Sequence, residues 1–248
     1  MAKKKIKAVD FFCSGGGMTK GMAKAGIKVI AGIDFDPECK ATYEANNKGS
    51  KFILADVFKL KEADLQKELG LKKNDDNLLL IGCSPCQFWS MIRTDKRKSE
   101  QSKDLLPEFS RFVKYFNPGY IAVENVPGIE RRKDESGLTT FVNELEKRNY
   151  KIKYKVVNLN EYGVPQTRKR FTLIASRVNE NFVFPTTSKG KKPTVSDFIG
   201  TKNGFPKVRA GHKDETKFQH IVCKLSDKNL QRLKGTTANG GNALWWRT

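Results

Sequence analysis

Short apolar runs alternating with amphipathic stretches predict an α/β sheet, mostly parallel, with helices on both faces and right-handed crossovers. Two further observations support that class. A turn of three glycines, Gly15-Gly16-Gly17, directly follows the first apolar run; strand, glycine turn and helix together let a backbone approach a ligand closely. An aspartate also stands at or just beyond the end of the second and third runs, Asp34 and Asp56.

The elements follow in order. Residues 6–12 read as a strand and 18–25 as a helix that Gly26 ends, because glycine readily takes the left-handed conformation that closes helices. Residues 27–33 form a second strand leading into Asp34. Pro37 opens a helix running to about Asn46, where its fixed φ suits the first turn. Residues 52–54 make a third, short strand. Residues 60–69 are amphipathic, Asn74-Asp75-Asp76 breaks the chain, and residues 78–82 are an apolar run typical of a buried strand. A helix over 105–116, a strand over 120–123, a helix over 141–147 and strands over 150–159 and 171–175 continue the pattern. There is no internal repeat.

Composition shifts after Ser176, which divides the chain into a catalytic domain over 1–176 and a basic tail over 177–248. The tail holds 14 Lys or Arg against 5 Asp or Glu, with seven glycines. Residues 185–193 read as an extended linker and 225–233 as one short helix. The chain closes on Trp245-Trp246-Arg247-Thr248, a pair of indoles that fits a surface covered by something else. Over all 248 residues the formal net charge is +20. That favours a polyanionic partner, since Lys and Arg release counterions from phosphate. Five cysteines, Cys13, Cys39, Cys83, Cys86 and Cys223, have no framework spacing and indicate free thiols in a reducing compartment. No apolar run approaches a membrane span, and no hydrophobic region follows the basic start, so a cytoplasmic location is expected.

Four local patterns carry chemistry. Ser84-Pro85-Cys86-Gln87 leaves the buried run at 78–82, which places a cysteine on a strand-end loop suited to covalent catalysis. Phe12-Cys13-Ser14-Gly15-Gly16-Gly17 lies upstream. Glu124-Asn125-Val126 follows the strand at 120–123, and Gln166-Thr167-Arg168-Lys169-Arg170 comes later. Taken singly, each has a plainer reading. The glycines do not meet the dinucleotide fingerprint G-x-G-x-x-G, which makes a nicotinamide enzyme an outside option. Asp34 and Asp56 serve equally as helix caps. Arg93, Lys96, Arg97 and Lys98 are either phosphate contacts or a solvated loop. Cys83 and Cys86 form a C-x-x-C, but the only histidines, His212 and His220, lie far off in the tail, so no metal is expected.

In combination and in this order, the four patterns resemble the DNA cytosine-5 methyltransferases. The resemblance covers residues 6–176 well and continues weakly through Asp197-Phe198-Ile199-Gly200 and residues 220–233. It implies a Rossmann-like, S-adenosyl-L-methionine-dependent methyltransferase sheet followed by an incomplete target-recognition region. The implied reaction is methyl transfer to carbon 5 of cytosine in double-stranded DNA, on a flipped-out base. By resemblance, Phe12 packs on the cofactor's adenine, Asp34 holds the ribose and Asp56 accepts from the adenine amino group. Ser14, Gly15, Gly16, Gly17, Phe35, Val57 and Leu105 line the same site, with Ser14 standing where the family carries glycine. Cys86, framed by Pro85 and Gln87, adds to carbon 6 of the base. Glu124 faces ring nitrogen 3, and Asn125 holds the neighbouring loop. Arg168 contacts the base or Glu124, while Gln166 and Arg170 read as more structural; Arg170 is grouped with Arg93, Lys96 and Arg97 as a nucleic-acid contact. The family's variable recognition segment and two last motifs are not visible. A second polypeptide is therefore expected to supply them, making this chain the large subunit of a split, heterodimeric enzyme in a restriction-modification system. The alternatives are a tRNA cytosine-5 methyltransferase and a catalytically silent DNA-binding subunit.

Overall fold

The structure is a computed structural model that describes residues 5–84, 104–206, 208–214 and 222–235. The chain divides into two compact units, Met1–Lys192 and Pro193–Thr248. From composition the break is expected after Ser176, but residues 177–192 stay with the first unit. They are tied there by Lys153 Nζ donating to the Phe182 carbonyl (2.7 Å), Ser188 N donating to the Glu161 carbonyl (2.8 Å) and an ion pair between Lys192 and Glu161 (3.7 Å).

The first unit is built on a seven-stranded sheet. In chain order its elements are β1 (Lys7–Phe11), α1 (Gly17–Lys24), β2 (Lys28–Asp34), α2 (Cys39–Asn46), β3 (Lys51–Leu54), α3 (Glu62–Leu69) and β4 (Leu78–Gly82). Then come α4 (Leu105–Phe116), β5 (Tyr120–Asn125), α5 (Gly128–Arg131), α6 (Leu138–Lys147), β6 (Lys151–Asn158) and β7 (Lys169–Ser176). The strand order is β3-β2-β1-β4-β5-β7-β6. The first five strands pair in parallel, as the alternating pattern predicts. β7 is antiparallel to both β5 and β6. No crossover helix separates β6 from β7, only a 3-10 turn (Leu159–Tyr162) and a short loop, and so short a link returns the chain antiparallel.

The two sides of the sheet are packed differently. On one, Val9, Phe11, Leu78, Leu80, Ile121 and Val123 meet α3, α4 and α6 in the main core. α4 repeats apolar residues at helical spacing and buries Leu106, Phe109, Phe112, Val113 and Phe116. Phe109 and Phe112 contact Phe11 with ring centroids 5.4 and 4.8 Å apart. Gly82 allows this approach, since a Cβ there would come within 2.9 Å of the Phe109 ring. On the other side α1 and α2 cover β1 to β3, leaving β5 and β7 with a half-buried face.

In the second unit the described elements are a helical turn α7 (Ser196–Ile199), a 3-10 turn (Thr201–Asn203) and α8 (Asp227–Lys234). Ser226 caps α8 by accepting from Asn229 N, close to where the sequence places a short helix. Trp245 and Trp246 lie outside the described residues. Among those described, no helix is long and apolar enough to cross a membrane.

Candidate active site

At the carboxyl end of β1 the backbone makes a tight turn into α1. Phe12 (φ 61°) and Ser14 (φ 46°) sit in the left-handed region, and Gly16 (φ 82°) immediately precedes the helix. Ser14 therefore adopts a conformation that a glycine would take at no steric cost. The turn is held by Ser14 N donating to Asp34 Oδ2 at 2.8 Å and by Gly16 N donating to the Cys13 carbonyl at 2.8 Å. Asp34 Oδ1 accepts from Asp36 N at 3.1 Å. Each Asp34 oxygen keeps a lone pair for a further donor. No side chain caps the start of α1 among the described residues, although the Thr19 amide in its first turn is turned to Asp10.

Beneath the turn lies a chain of buried hydroxyls. Thr19 Oγ1 donates to Asp10 Oδ2 at 2.7 Å and lies 3.2 Å from the Tyr43 hydroxyl, which is 2.7 Å from Ser50 Oγ. Asp10 is fully buried, and its Oδ1 has no hydrogen-bond partner among the described residues. Burial pushes its pKa up to about 6, against the opposing hydrogen bonds from Thr19. The Cys13 thiol is pushed above its ordinary range by burial and then by the charges of Asp10 and Asp34, so it is not a nucleophile at neutral pH.

Two and three strands along the sheet from β1, β5 and β7 present the acid. Glu124 Oε1 is 2.8 Å from Arg170 Nε. Burial raises the Glu124 pKa, while the charges of Arg170 and Arg168 pull it down. From sequence Arg168 is assigned to the target base or Glu124, while Arg170 reads as more structural and is grouped with the nucleic-acid contacts; in the structure Arg170 makes the ion pair with Glu124 and Arg168 lends charge. The register explains why. Glu124 lies opposite Thr172, which puts Arg170 diagonally across on the same face. Asn125 turns to the opposite face, where its Nδ2 donates to Ser84 Oγ at 2.9 Å and its Oδ1 accepts from Val126 N at 2.8 Å. Ser84 is the residue before Pro85, so Asn125 holds against β5 the last described residue ahead of Pro85-Cys86. Pro85, Cys86, Gln87, Arg93, Lys96 and Arg97 all lie outside the described residues.

A cavity of about 880 Å³ joins these parts. Phe12, Ser14 and Gly17 line one end and Glu124, Arg168 and Arg170 another. Asp34 and Asp56 stand at the carboxyl edge by β2 and β3. Asp56 accepts from Phe58 N at 3.1 Å, and Phe35 is 69% exposed beside them. Val57 and Leu105 are instead packed in the main core, with side chains that do not line the cavity. Gly16 is spent on packing, because a Cβ there would meet Asn47 and Tyr43. Sequence reasoning passes over Asp10, Thr19 and Tyr43; the one signal was an aspartate inside an otherwise apolar strand. It also passes over Met18 and Met22, which line the cavity from α1.

The model of C-5 cytosine-specific DNA methylases matches residues 6–244. The chain belongs to that family. Among its relatives, the type II methylase M.HgiDII of Herpetosiphon aurantiacus is 34% identical over 96% of this chain and 65% of its own length. The type II methyltransferase M1.HphI of Haemophilus parahaemolyticus is 29% identical over 94% of this chain and 61% of its own. A solved DNA modification methyltransferase encoded within an Escherichia coli prophage superposes with a TM-score of 0.69 at 22% identity, covering 97% of this chain and 67% of that one. The chain thus spans from about half to just under two thirds of the length of the curated relatives it matches. S-adenosyl-L-methionine is the methyl donor of this family, and the residues here fit it. The uncapped start of α1 suits a carboxylate, Asp34 retains acceptors beside the turn, and the cavity has the size of a cofactor site.

Proposed function

We propose that this chain carries the catalytic half of a DNA cytosine-5 methyltransferase, acting on a base swung out of the duplex. The carrying observation is the pair of contacts on neighbouring strand residues: Asn125 fixes Ser84, one residue from Pro85-Cys86, while Glu124 faces the cavity that reaches the glycine turn. One strand end thus serves both nucleophile and acid. The Cys86 thiolate adds to carbon 6 of cytosine, while Glu124 donates a proton or hydrogen bond to ring nitrogen 3, which stores the displaced electron pair in an enamine. Carbon 5 is then nucleophilic. Loss of the carbon 5 proton and expulsion of the thiolate restore the aromatic base. Bound S-adenosyl-L-methionine supplies the electrophilic methyl; Phe12, Asp34, Phe35 and Asp56 would hold its nucleoside, and the start of α1 its carboxylate. Arg170 keeps Glu124 in place, and Arg168 stands at the cavity rim for the base.

A second polypeptide is proposed to complete target recognition, with the assembled enzyme modifying double-stranded DNA alongside a restriction nuclease. The net charge of +20 supports the nucleic-acid substrate. Replacing Cys86→Ser tests the chemistry. The variant is expected to bind DNA as the parent does and to lose methyl transfer by at least about a thousandfold. Retained turnover would refute the nucleophile.

A further inference from the structure

We propose that the groove between α1 and α2, on the flank of α1 away from the larger cavity, is a second ligand site that takes the phosphates of a metal-free nucleotide. It stands apart from the site of methyl transfer, since the two linings have only Ile27 in common.

The groove has a volume of about 490 Å³, within the range of small-molecule sites. α1 turns Met18 and Met22 to the larger cavity and Thr19, Lys20 and Ala23 to this one. Residues 45–50, at the end of α2 and in the turn beyond it, form the opposite wall, and Lys28 and Val29 contribute from the start of β2.

Charge, backbone and one buried side chain favour a phosphate-bearing ligand. Lys20, Lys28 and Lys48 surround a lining that holds no carboxylate, and among the described residues none of the three pairs with one. Cations gathered in this way repel, and an anion between them removes the repulsion. Lys20 is held in place, its Nζ donating to the Asn46 carbonyl at 3.0 Å. The chain from Asn47 to Ser50 makes a turn, closed by Ser50 N donating to the Asn47 carbonyl at 3.0 Å, with Gly49 at φ 88°. Among the described residues the amides of Lys48 and Gly49 find no acceptor, and successive free amides in a turn form an anion-binding concavity. Asn47 is 6% exposed, and its Nδ2 donates to the Tyr43 carbonyl at 3.0 Å, while its Oδ1 has no partner among the described residues.

The rest of the lining selects a nucleotide over a bare anion. Three cations and two amides exceed the needs of one phosphate group. Ala23, Ile27, Val29 and Ala45 offer an apolar surface to a base. A buried acceptor without a donor is costly, and a nucleoside hydroxyl, or a water bound with it, is the donor that Asn47 lacks. The internal sugars of a DNA strand have no free hydroxyl to give. With no carboxylate in the lining there is no protein ligand for a magnesium ion, so the lysines themselves neutralise the phosphates.

The test is titration calorimetry of guanosine 5′-diphosphate into the full chain, without divalent cations. The chain is first saturated with S-adenosyl-L-homocysteine, which fills the larger cavity. One site with Kd at or below about 100 μM is expected. Guanosine and inorganic pyrophosphate should each bind at least about tenfold more weakly, and Lys28→Glu with Lys48→Glu should raise the Kd of the diphosphate at least about tenfold. Thermal melting checks that the variant, altered only at exposed positions, stays folded. Unchanged affinity in the folded variant overturns the location. Pyrophosphate binding as tightly as the diphosphate overturns the nucleoside part. Duplex DNA bound without the diphosphate, and weakened by the variant, gives the lysines to the DNA backbone and overturns the proposed ligand. Binding of none of these probes overturns the site itself.

Discussion

Asp10 and Glu124 show how position in the sheet, rather than residue type, sets the chemistry of a carboxyl group. Asp10 is sealed under α1 with one oxygen unpartnered among the described residues, and its pKa lies near 6 instead of the ordinary 3.8. A carboxyl whose folded pKa is raised contributes stability that is complete below its unfolded pKa and is lost as pH rises through the folded value. Stability should therefore decline between about pH 4 and pH 7, by up to about 3 kcal/mol from this group. Asp10→Asn should flatten that part of the profile in urea unfolding at a series of pH values; an unchanged slope would show that Asp10 is not the group responsible. Burial raises the Glu124 pKa as well, but there Arg170 and Arg168 counter part of the shift. If protonated Glu124 is the donor, the rate falls as pH rises through its pKa. Arg170→Gln removes a charge that lowers that pKa, so the alkaline limb of the rate profile should move to higher pH. A limb that stays in place would separate Glu124 from the titrating step.

At the scale of elements, α2 is locked to β2 by the approach of Tyr43 to Gly32. A Cβ on Gly32 would meet the Tyr43 ring and hydroxyl at 2.5 Å. Tyr43 is fully buried and its hydroxyl lies between Thr19 and Ser50, so it has no room to retreat. Gly32→Ala should cost about 1–3 kcal/mol, read as a lower urea midpoint; an unchanged midpoint would mean that α2 shifts freely. The helices and strands themselves were largely legible from apolar periodicity. β4 read as buried because all five of its residues are apolar, and α4 because its apolar residues repeat at helical spacing. What periodicity does not carry is order and direction across the sheet. β7 lies between β5 and β6, and that insertion pairs Glu124 with Arg170, a pairing the motif alone does not specify. Val57 and Leu105 were assigned to the cofactor by resemblance, yet both are turned into the core beneath the carboxyl edge. Ser14, which stands where the family carries glycine, takes the positive φ that this turn imposes.

For the whole molecule, fold and family follow from several motifs in one order on one sheet, while substrate and assembly depend on surfaces that other molecules must fill. The described residues bring together the acid, both arginines and the glycine turn around one cavity, and they anchor the segment that leads to Cys86. The most direct measurement is transfer of radiolabelled methyl from S-adenosyl-L-methionine to unmethylated double-stranded DNA. It would be run with and without the product of the adjacent reading frame, and the modified nucleoside identified by mass spectrometry. The account predicts 5-methylcytosine, formed only when both polypeptides are present. Specific methylation by this chain alone would contradict the split assembly. Label appearing only in RNA, or in another nucleoside, would contradict the proposed reaction.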